Sequence, residues 1–301
     1  MYLVTGAAGH LGSLTIASLI ADQKVAPKDI IATTRKPEAL AALAKQGVAV
    51  RAADFDQPES LAKAFAGATR LLLISTDALD RPGRRLEQHR RAVAAAAKAG
   101  VRHILYTSMP KPETSAVTFA PDHLGTERAI AESGIPGWTL LRNNWYFENL
   151  FYSVPQALAA GSWYSAAGDG RIAHIGRADL ARAAAAALAA SNSGQTTYTL
   201  TGARAYSTAE LAGLIAAATG KPLSVVPVDA AALIQGMVAH GLPEAIAQVF
   251  ASFDTNIRQG GLADVTGDFA RLTGQQPTPF ETWLEVNTSA FAGAADQKSA
   301  A

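Results

Sequence analysis

Three glycines are the first residues in the chain whose spacing suggests chemistry. Gly6, Gly9 and Gly12 fall three residues apart in the run Thr-Gly-Ala-Ala-Gly-His-Leu-Gly12. Tyr2, Leu3 and Val4 precede them and read as a short buried strand. An apolar helical pattern follows through Leu14, Ile16, Ala17, Leu19 and Ile20. A strand, a tight glycine turn and a helix start make a corner that binds phosphate. The first glycine turns the chain and the second admits backbone N–H groups to a pyrophosphate. The third lets the helix pack close on the strand. Gly6, Ala7, Ala8, Gly9, His10, Leu11 and Gly12 are therefore candidates to hold a dinucleotide, against the alternative of a plain glycine-rich turn.

Further candidates sit at later strand ends, where open α/β sheets place ligands. The second strand, residues 29–34, runs into Arg35 and Lys36. A carboxylate at that position would accept from the ribose 2′-OH of NAD and repel a 2′-phosphate. A basic pair favours NADPH, with NADH weaker, and it also fits the solvated start of a helix. Asp54 follows the third strand and can contact an adenine amino group, with Phe55 on the ring. Asp56 with Glu59 reads as a helix capping box. Ser75 and Thr76 close the fourth strand. After the sixth strand, Trp145, Tyr146 and Phe147 offer a stacking wall, although Trp145 and Tyr146 also suit a core. His123 is either a proton donor or a hydrogen-bonded helix residue. Arg142 is either a site residue or simply paired with a carboxylate between lobes.

One constellation is absent. Short-chain dehydrogenases usually carry a Tyr with a Lys four residues on, the Tyr moving the proton and the Lys lowering its pKa. None of the seven tyrosines has Lys at that spacing. Reducing a ketone makes a strongly basic alkoxide and needs a positioned acid. Reducing a quinone makes a much less basic hydroquinone anion, and hydride addition to a cationic dye needs no proton. Such a site favours electrophiles of these last kinds.

The elements that must position these residues alternate strand and helix through residue 142, which implies a parallel sheet with helices on both faces. The expected fold is α/β, a Rossmann-type doubly wound sheet with a smaller α-rich C-terminal lobe. Residues 1–150 would form the nucleotide-binding domain and 151–301 the substrate lobe, some of whose elements return to the first domain. In the second half, residues 159–162 and 166–170 read as turns, 178–190 as a helix and Ser207 with Glu210 as a capping box. Residues 81–91 read as the solvated, charge-dense start of a helix. The tail after Ala290 reads as disordered.

Composition narrows the classes. The chain has 301 residues and a formal net charge of +1, which gives no electrostatic case for nucleic acid or an anionic membrane surface. It has no cysteine, which excludes disulfides and thiolate chemistry and suits a reducing cytoplasm. With a strand starting at residue 2, no signal peptide is expected. The six histidines lack metal-ligand spacing, so no metal site is expected.

Several runs together resemble one family: Val-Thr-Gly-Ala-Ala-Gly-His-Leu-Gly12, Thr-Arg-Lys-Pro37, Leu-Leu-Ile-Ser75, Tyr-Thr-Ser108, Asp-His-Leu-Gly-Thr-Glu127 and Leu-Arg-Asn-Asn-Trp-Tyr-Phe-Glu-Asn149. They are similar to the NmrA-like atypical short-chain dehydrogenases, on the branch of the bacterial NAD(P)H:quinone oxidoreductases and triphenylmethane-dye reductases. The late segments Gly-Asp-Gly-Arg-Ile-Ala173, Gly-Leu-Pro243 and Leu-Thr-Gly-Gln-Gln-Pro277 extend the likeness over nearly the whole chain. The resemblance implies an NADPH-dependent reductase of a quinone, dye or similar electrophile, compatible with a homodimer. It places the pyrophosphate on residues 6–11, the 2′-phosphate on Arg35, and Ser75, Thr76 and Asp77 beside the cofactor. Asn143, Asn144, Trp145, Tyr146, Phe147 and Glu148 would line the nicotinamide and substrate side, and His174 would face the cofactor pocket. Tyr146 and His123 are the catalytic candidates. Asn144 stands where the family often has Gly, which would narrow the pocket. The same family implies a rival reading, an NADP(H)-binding redox sensor without turnover.

Overall fold

A computed structural model of the protein describes residues 1–291; the expected disordered tail falls, beyond Phe291, outside the described residues. The first half alternates β1 (Tyr2–Val4), α1 (His10–Ala21), β2 (Ile30–Thr34), α2 (Ala41–Lys45), β3 (Ala49–Ala52), α3 (Pro58–Phe65), β4 (Arg70–Leu73), α4 (Arg84–Lys98), β5 (His103–Ser108), α5 (Ala120–Ala131) and β6 (Gly137–Asn143). The second half adds α6 (Val154–Ala160), β7 (Ser162–Ser165), β8 (Arg171–Ile172), α7 (Arg177–Ala189), β9 (Gln195–Leu200), β10 (Tyr206–Ser207), α8 (Thr208–Thr219) and β11 (Ser224–Pro227). Four helices close the described chain: α9 (Ala230–Ala239), α10 (Glu244–Arg258), α11 (Asp268–Thr273) and α12 (Phe280–Asn287).

Seven strands form one sheet in the order β3-β2-β1-β4-β5-β6-β9, every neighbouring pair parallel. Successive side chains of a strand point to opposite faces, and in a parallel sheet both faces are covered. Leu3 and Val4 illustrate this. Leu3 joins the core made with α3, α4 and α5 through Leu61, Phe65, Val93 and Ile130. Val4 joins the core made with α1 and α7 through Ile16, Leu19, Leu180 and Leu188. The strand order reverses between β1 and β4, which opens a crevice above their carboxyl ends.

Two late elements return to this sheet. β9 pairs with β6, and α7 packs along α1. The boundary expected at residue 150 therefore divides the chain in sequence but not in space. Alanines make the close helix packing achievable, since Ala181, Ala184, Ala185 and Ala187 are buried in it. Arg70 of β4 donates to the carbonyls of Ala187, Leu188 and Asn192 at 3.1, 2.7 and 2.8 Å, satisfying the carboxyl end of α7. The smaller lobe has its own core of Phe147, Val154, Ile215, Phe280, Trp283 and Leu284, among others. Within it β7 pairs with β11 and β8 with β10.

Three local expectations need correction. Residues 159–162, read as a turn, hold the end of α6 and the start of β7; α6 ends on Gly161 in the left-handed region. Asp56 does not cap α3, whose N-cap is Gln57 without a side-chain bond. Its carboxylate pairs with Arg84 at 2.6 Å and accepts from Gln88 at 2.9 Å, and Arg84 holds its pKa below the usual range. The charge-dense run 81–91 is not wholly solvated, because Arg85, Gln88 and His89 are buried. The capping box at Ser207 and Glu210 forms as expected.

At Gly12 a Cβ would stand 2.4 Å from the Gly6 carbonyl oxygen and 2.9 Å from Ala7 Cα. Gly12→Ala should therefore lower the unfolding free energy by about 1–3 kcal/mol in urea titrations, as overpacking does. Gly213 lies in α8 with open space around it. Gly213→Ala should instead raise stability by about 0.5–1 kcal/mol. Equal effects of the two substitutions would contradict the close approach at Gly12.

Candidate active site

The corner after β1 carries its sharpest turn at Gly6, whose φ of +59° lies in the left-handed region. The Ala7 N–H donates to Thr33 O and the Gly9 N–H to Gly6 O, both at 2.9 Å. α1 then starts from Gly9 with no side-chain cap and no acidic residue in its first turn. Its first amides are left to a ligand and carry the positive end of the helix dipole. Ala7 and Leu11 turn their side chains into the core, so they offer backbone only. Gly6, Ala8, Gly9 and His10 are exposed. Arg35 is exposed just past β2 and makes no ion pair or hydrogen bond among the described residues. Asp54 accepts from the Asp56 N–H at 2.9 Å, which fixes the turn after β3.

Beyond β4 the backbone is held by side chains. Three successive amides donate into the interior: Ile74 to Thr5 Oγ1 at 2.9 Å, Ser75 to Thr107 Oγ1 at 2.9 Å and Thr76 to His89 Nε2 at 3.0 Å. Asp77 follows, exposed. Because His89 Nε2 accepts, its proton sits on Nδ1, which donates to Thr126 Oγ1 at 2.9 Å. Burial and the Arg85 charge push the His89 pKa down to about 3. Alongside, Arg85 donates to His123 Nε2 at 2.9 Å, and His123 Nδ1 meets the Tyr106 hydroxyl at 2.9 Å. Burial and then Arg85 hold the His123 pKa well below its ordinary value. His123 is thus a neutral, buried imidazole. Its expected role as a proton-loaded acid is corrected on that ground.

The run after β6 is largely committed to architecture. Asn144 is buried; its Nδ2 donates to Leu262 O at 3.1 Å and its Oδ1 accepts from the Trp145 N–H at 2.8 Å. It pins the backbone and does not narrow a pocket. The Glu148 carboxylate accepts from the Arg177 N–H at 3.1 and 3.2 Å, capping α7. Phe147 is 2% exposed, its ring 5.2 Å from both Phe280 and Trp283. The lobe core takes that ring, so it is withdrawn from the stacking wall. His174 stacks on Phe147 and borders a 210 Å³ cavity in the smaller lobe with Arg204, Tyr206 and Glu281. Burial pushes its pKa to about 3. Two rings of the run, Trp145 and Tyr146, are only partly buried. Tyr146 lies beside Asn143 and under the Arg177 guanidinium, and burial raises its pKa. Trp145 meets Phe253 edge-on at 5.3 Å. Arg142 pairs with Glu127 at 2.7 Å and with Glu113, both from the sheet-bearing half and not from the other lobe.

Sequence reasoning missed Arg85, His89, Tyr106, Phe119 and Phe253. One signal was available. Arg85, Gln88 and His89 share the helical stripe of Ala92, Val93 and Ala96, a buried face continued by polar residues.

Doubly wound sheet, switch-point crevice and open anion corner define a nucleotide-binding protein of the Rossmann class. The chain belongs to the NmrA-like family, whose model matches residues 2–284. It is similar to quinone oxidoreductase 2 of Escherichia coli (strain K12), 38% identical over 278 residues that cover 92% of this chain and 95% of that one. Among solved structures it is similar to the E. coli NADPH-dependent quinone oxidoreductase complexed with NADPH. That likeness has a TM-score of 0.88 at 37% identity, over 96% of this chain and 99% of the other. The Citrobacter sp. triphenylmethane reductase complexed with NADP(H) gives 0.86 at 36% identity, over 95% and 99%.

Four buried histidines make stability depend on pH. His89 and His174 fall to about 3, His103 to about 4, and His123 is lowered as well. Between pH 6.5 and about 4 the unfolded chain binds protons that the folded chain refuses, so stability falls as pH falls through that window. The slope is about 1.4 kcal/mol per pH unit for each histidine. Urea midpoints at pH 7.5, 6, 5 and 4.5 should drop steeply. A flat series would mean that these rings are not buried neutral.

Proposed function

We propose that the protein is an oxidoreductase that binds NADPH in the switch-point crevice and passes hydride to a quinone or a similar flat electrophile. The observation that carries this reading is the whole-chain likeness to the E. coli quinone oxidoreductase described with NADPH. The residues present fit the cofactor. The uncapped start of α1 and the glycine turn suit the pyrophosphate, Gly12 lets α1 close on that turn, and Arg35, unpaired among the described residues, suits a 2′-phosphate. When bound, the cofactor supplies the hydride.

The chain's own residues orient the reactants and keep water out. Ser75 to Asp77, anchored through Thr107 and His89, form the floor beside the cofactor. Trp145 offers an apolar edge to a flat ring. Tyr146, like any phenol, keeps its hydroxyl proton at neutral pH, and burial raises its pKa further, so it serves as a hydrogen-bond donor and not as a base. No Tyr–Lys pair backs it. That suits acceptors whose reduced form is a weak base, and catalysis rests on proximity and orientation.

Stopped-flow mixing of the NADPH-loaded protein with benzoquinone should oxidise NADPH faster than buffer does. A rate equal to buffer would remove the enzyme reading, and NADP⁺ and NADPH bound alike without turnover would favour a redox sensor. Arg35→Ala should weaken NADPH binding at least tenfold and leave NADH nearly unchanged, since a charge-assisted bond contributes ~1.5–3 kcal/mol. Equal losses for the two cofactors, read by calorimetry, would reject the 2′-phosphate role.

A further inference from the structure

Arg85 sits in the first turn of α4 and is 6% exposed, yet among the described residues no carboxylate lies within ion-pair distance. A terminal nitrogen donates to His123 Nε2 at 2.9 Å, and its Nε has no acceptor. Arginine cannot shed its proton to escape burial, as a lysine or histidine can. His123 is neutral and gives it no counter-charge. Asp77 and Asp122 act on it only from a distance. A buried cation with an unmet donor is costly unless an anion arrives to complete it.

Its surroundings say what kind of anion. The guanidinium carbon lies 4.9 Å from the centre of the Phe119 ring. Phe119 meets Phe253 edge-on at 5.9 Å; Phe253 meets Trp145 at 5.3 Å and Phe250 at 5.7 Å. Phe250 is 39% exposed, and the other three rings are partly exposed. An aromatic strip thus runs from the surface to the guanidinium. Its inner end lies where the crevice opens, since α4 and α5 start at the carboxyl ends of β4 and β5 and Trp145 follows β6. A strip of rings ending in a lone cation complements a flat aromatic body bearing one oxyanion.

We propose that Arg85 is a catalytic residue that binds the oxyanion formed on the acceptor, with His123 as the positioning residue that holds its guanidinium. This rests on the reading under Proposed function. Hydride transfer brings two electrons and one hydrogen nucleus to a quinone, which becomes a hydroquinone monoanion, and the nicotinamide is left oxidised. The phenolate oxygen bonds to Arg85 and later takes one proton from water, which leaves hydroxide and completes the hydroquinone. The buried charge replaces the missing Tyr–Lys pair by stabilising the anion without protonating it. The same charge works against a cationic acceptor, so Arg85 also sets a preference for quinones over cationic triphenylmethane dyes.

The test uses the NADP⁺-loaded protein with 4-nitrophenol, whose phenolate absorbs visible light. Bound nitrophenol should ionise at least one pH unit lower in the unchanged protein than in Arg85→Met, which keeps an unbranched stem against Phe119. Arg85→Met should lower kcat/KM for benzoquinone about 10²-fold, the range for loss of one oxyanion donor, and should leave that for a cationic dye unchanged or raised. A purely structural role would depress both acceptors alike and would overturn the proposal, as would unchanged nitrophenol ionisation. If Arg85→Met does not fold, Arg85→Lys decides. It keeps a charge and a donor to His123, so the lowered ionisation must persist, and its absence overturns the proposal. A buffer-level rate in the unchanged protein would instead sink the enzyme reading and leave nitrophenolate binding to judge the anion site. An unchanged kcat/KM in folded Arg85→Met would sink this inference and leave the enzyme reading intact.

Discussion

The corner of the fold exists because only hydrogen stands on the Cα of residue 12. The backbone of Gly6 and Ala7 occupies the space where any side chain there would go. This contact sets how closely α1 lies on β1, an interior strand flanked by β2 and β4 at the point where the strand order reverses. α1 in turn is the surface on which α7 packs, and Arg70 of β4 ties off the far end of α7. A displacement at residue 12 would therefore reach β9 and the late helices as well as the phosphate corner. The exposed first amides of α1 are a by-product of the same geometry, since a turn this tight leaves no side chain to cap them.

The other side of the crevice is held by a different device. Hydrogen bonds from Ile74, Ser75 and Thr76 into Thr5, Thr107 and His89 give the post-β4 loop an order that its sequence does not advertise. His89 can accept only while neutral, and burial keeps it so. The arrangement fixes the loop through neutral hydrogen-bond partners. One turn of α4 earlier, Arg85 is buried against His123 and Phe119 with no carboxylate partner among the described residues.

What the sequence disclosed follows physical range. The glycine corner, the alternating first half and the Ser207 cap were legible because local periodicity and local backbone demands produce them. The strand ends before residue 143 were placed within a few residues for the same reason. In the second half the helix over 178–190 was legible as α7, but not its place along α1 nor that of β9 beside β6, because those contacts join residues far apart in sequence. The buried network on α4 was hidden by its composition. Arg, Gln and His on a helix normally read as solvated, and only their place on the stripe of Ala92, Val93 and Ala96 says otherwise. Asp56 misled in the opposite direction: a good capping residue by type, it was drawn to Arg84 across the loop.

The run from residue 143 to residue 148 shows why a specific motif need not be a list of ligand contacts. Asn144 fastens the chain to Leu262, Phe147 plugs the smaller lobe, and Glu148 caps the helix that packs on α1. The backbone of Trp145 and Phe147 also bonds to Ile175, joining the segment to the strand-like stretch before α7. Asn144, Phe147 and Glu148 thus knit the sheet to the lobe, each through its own side chain. Only Trp145 and Tyr146 keep rings partly open on the crevice side. Their position depends on these three anchors and on the backbone bonds to Ile175, because a ring on a loose turn could not hold a reactant at fixed distance. The chemistry of the segment is therefore carried by two residues, and its specificity as a motif by the joint that aims them.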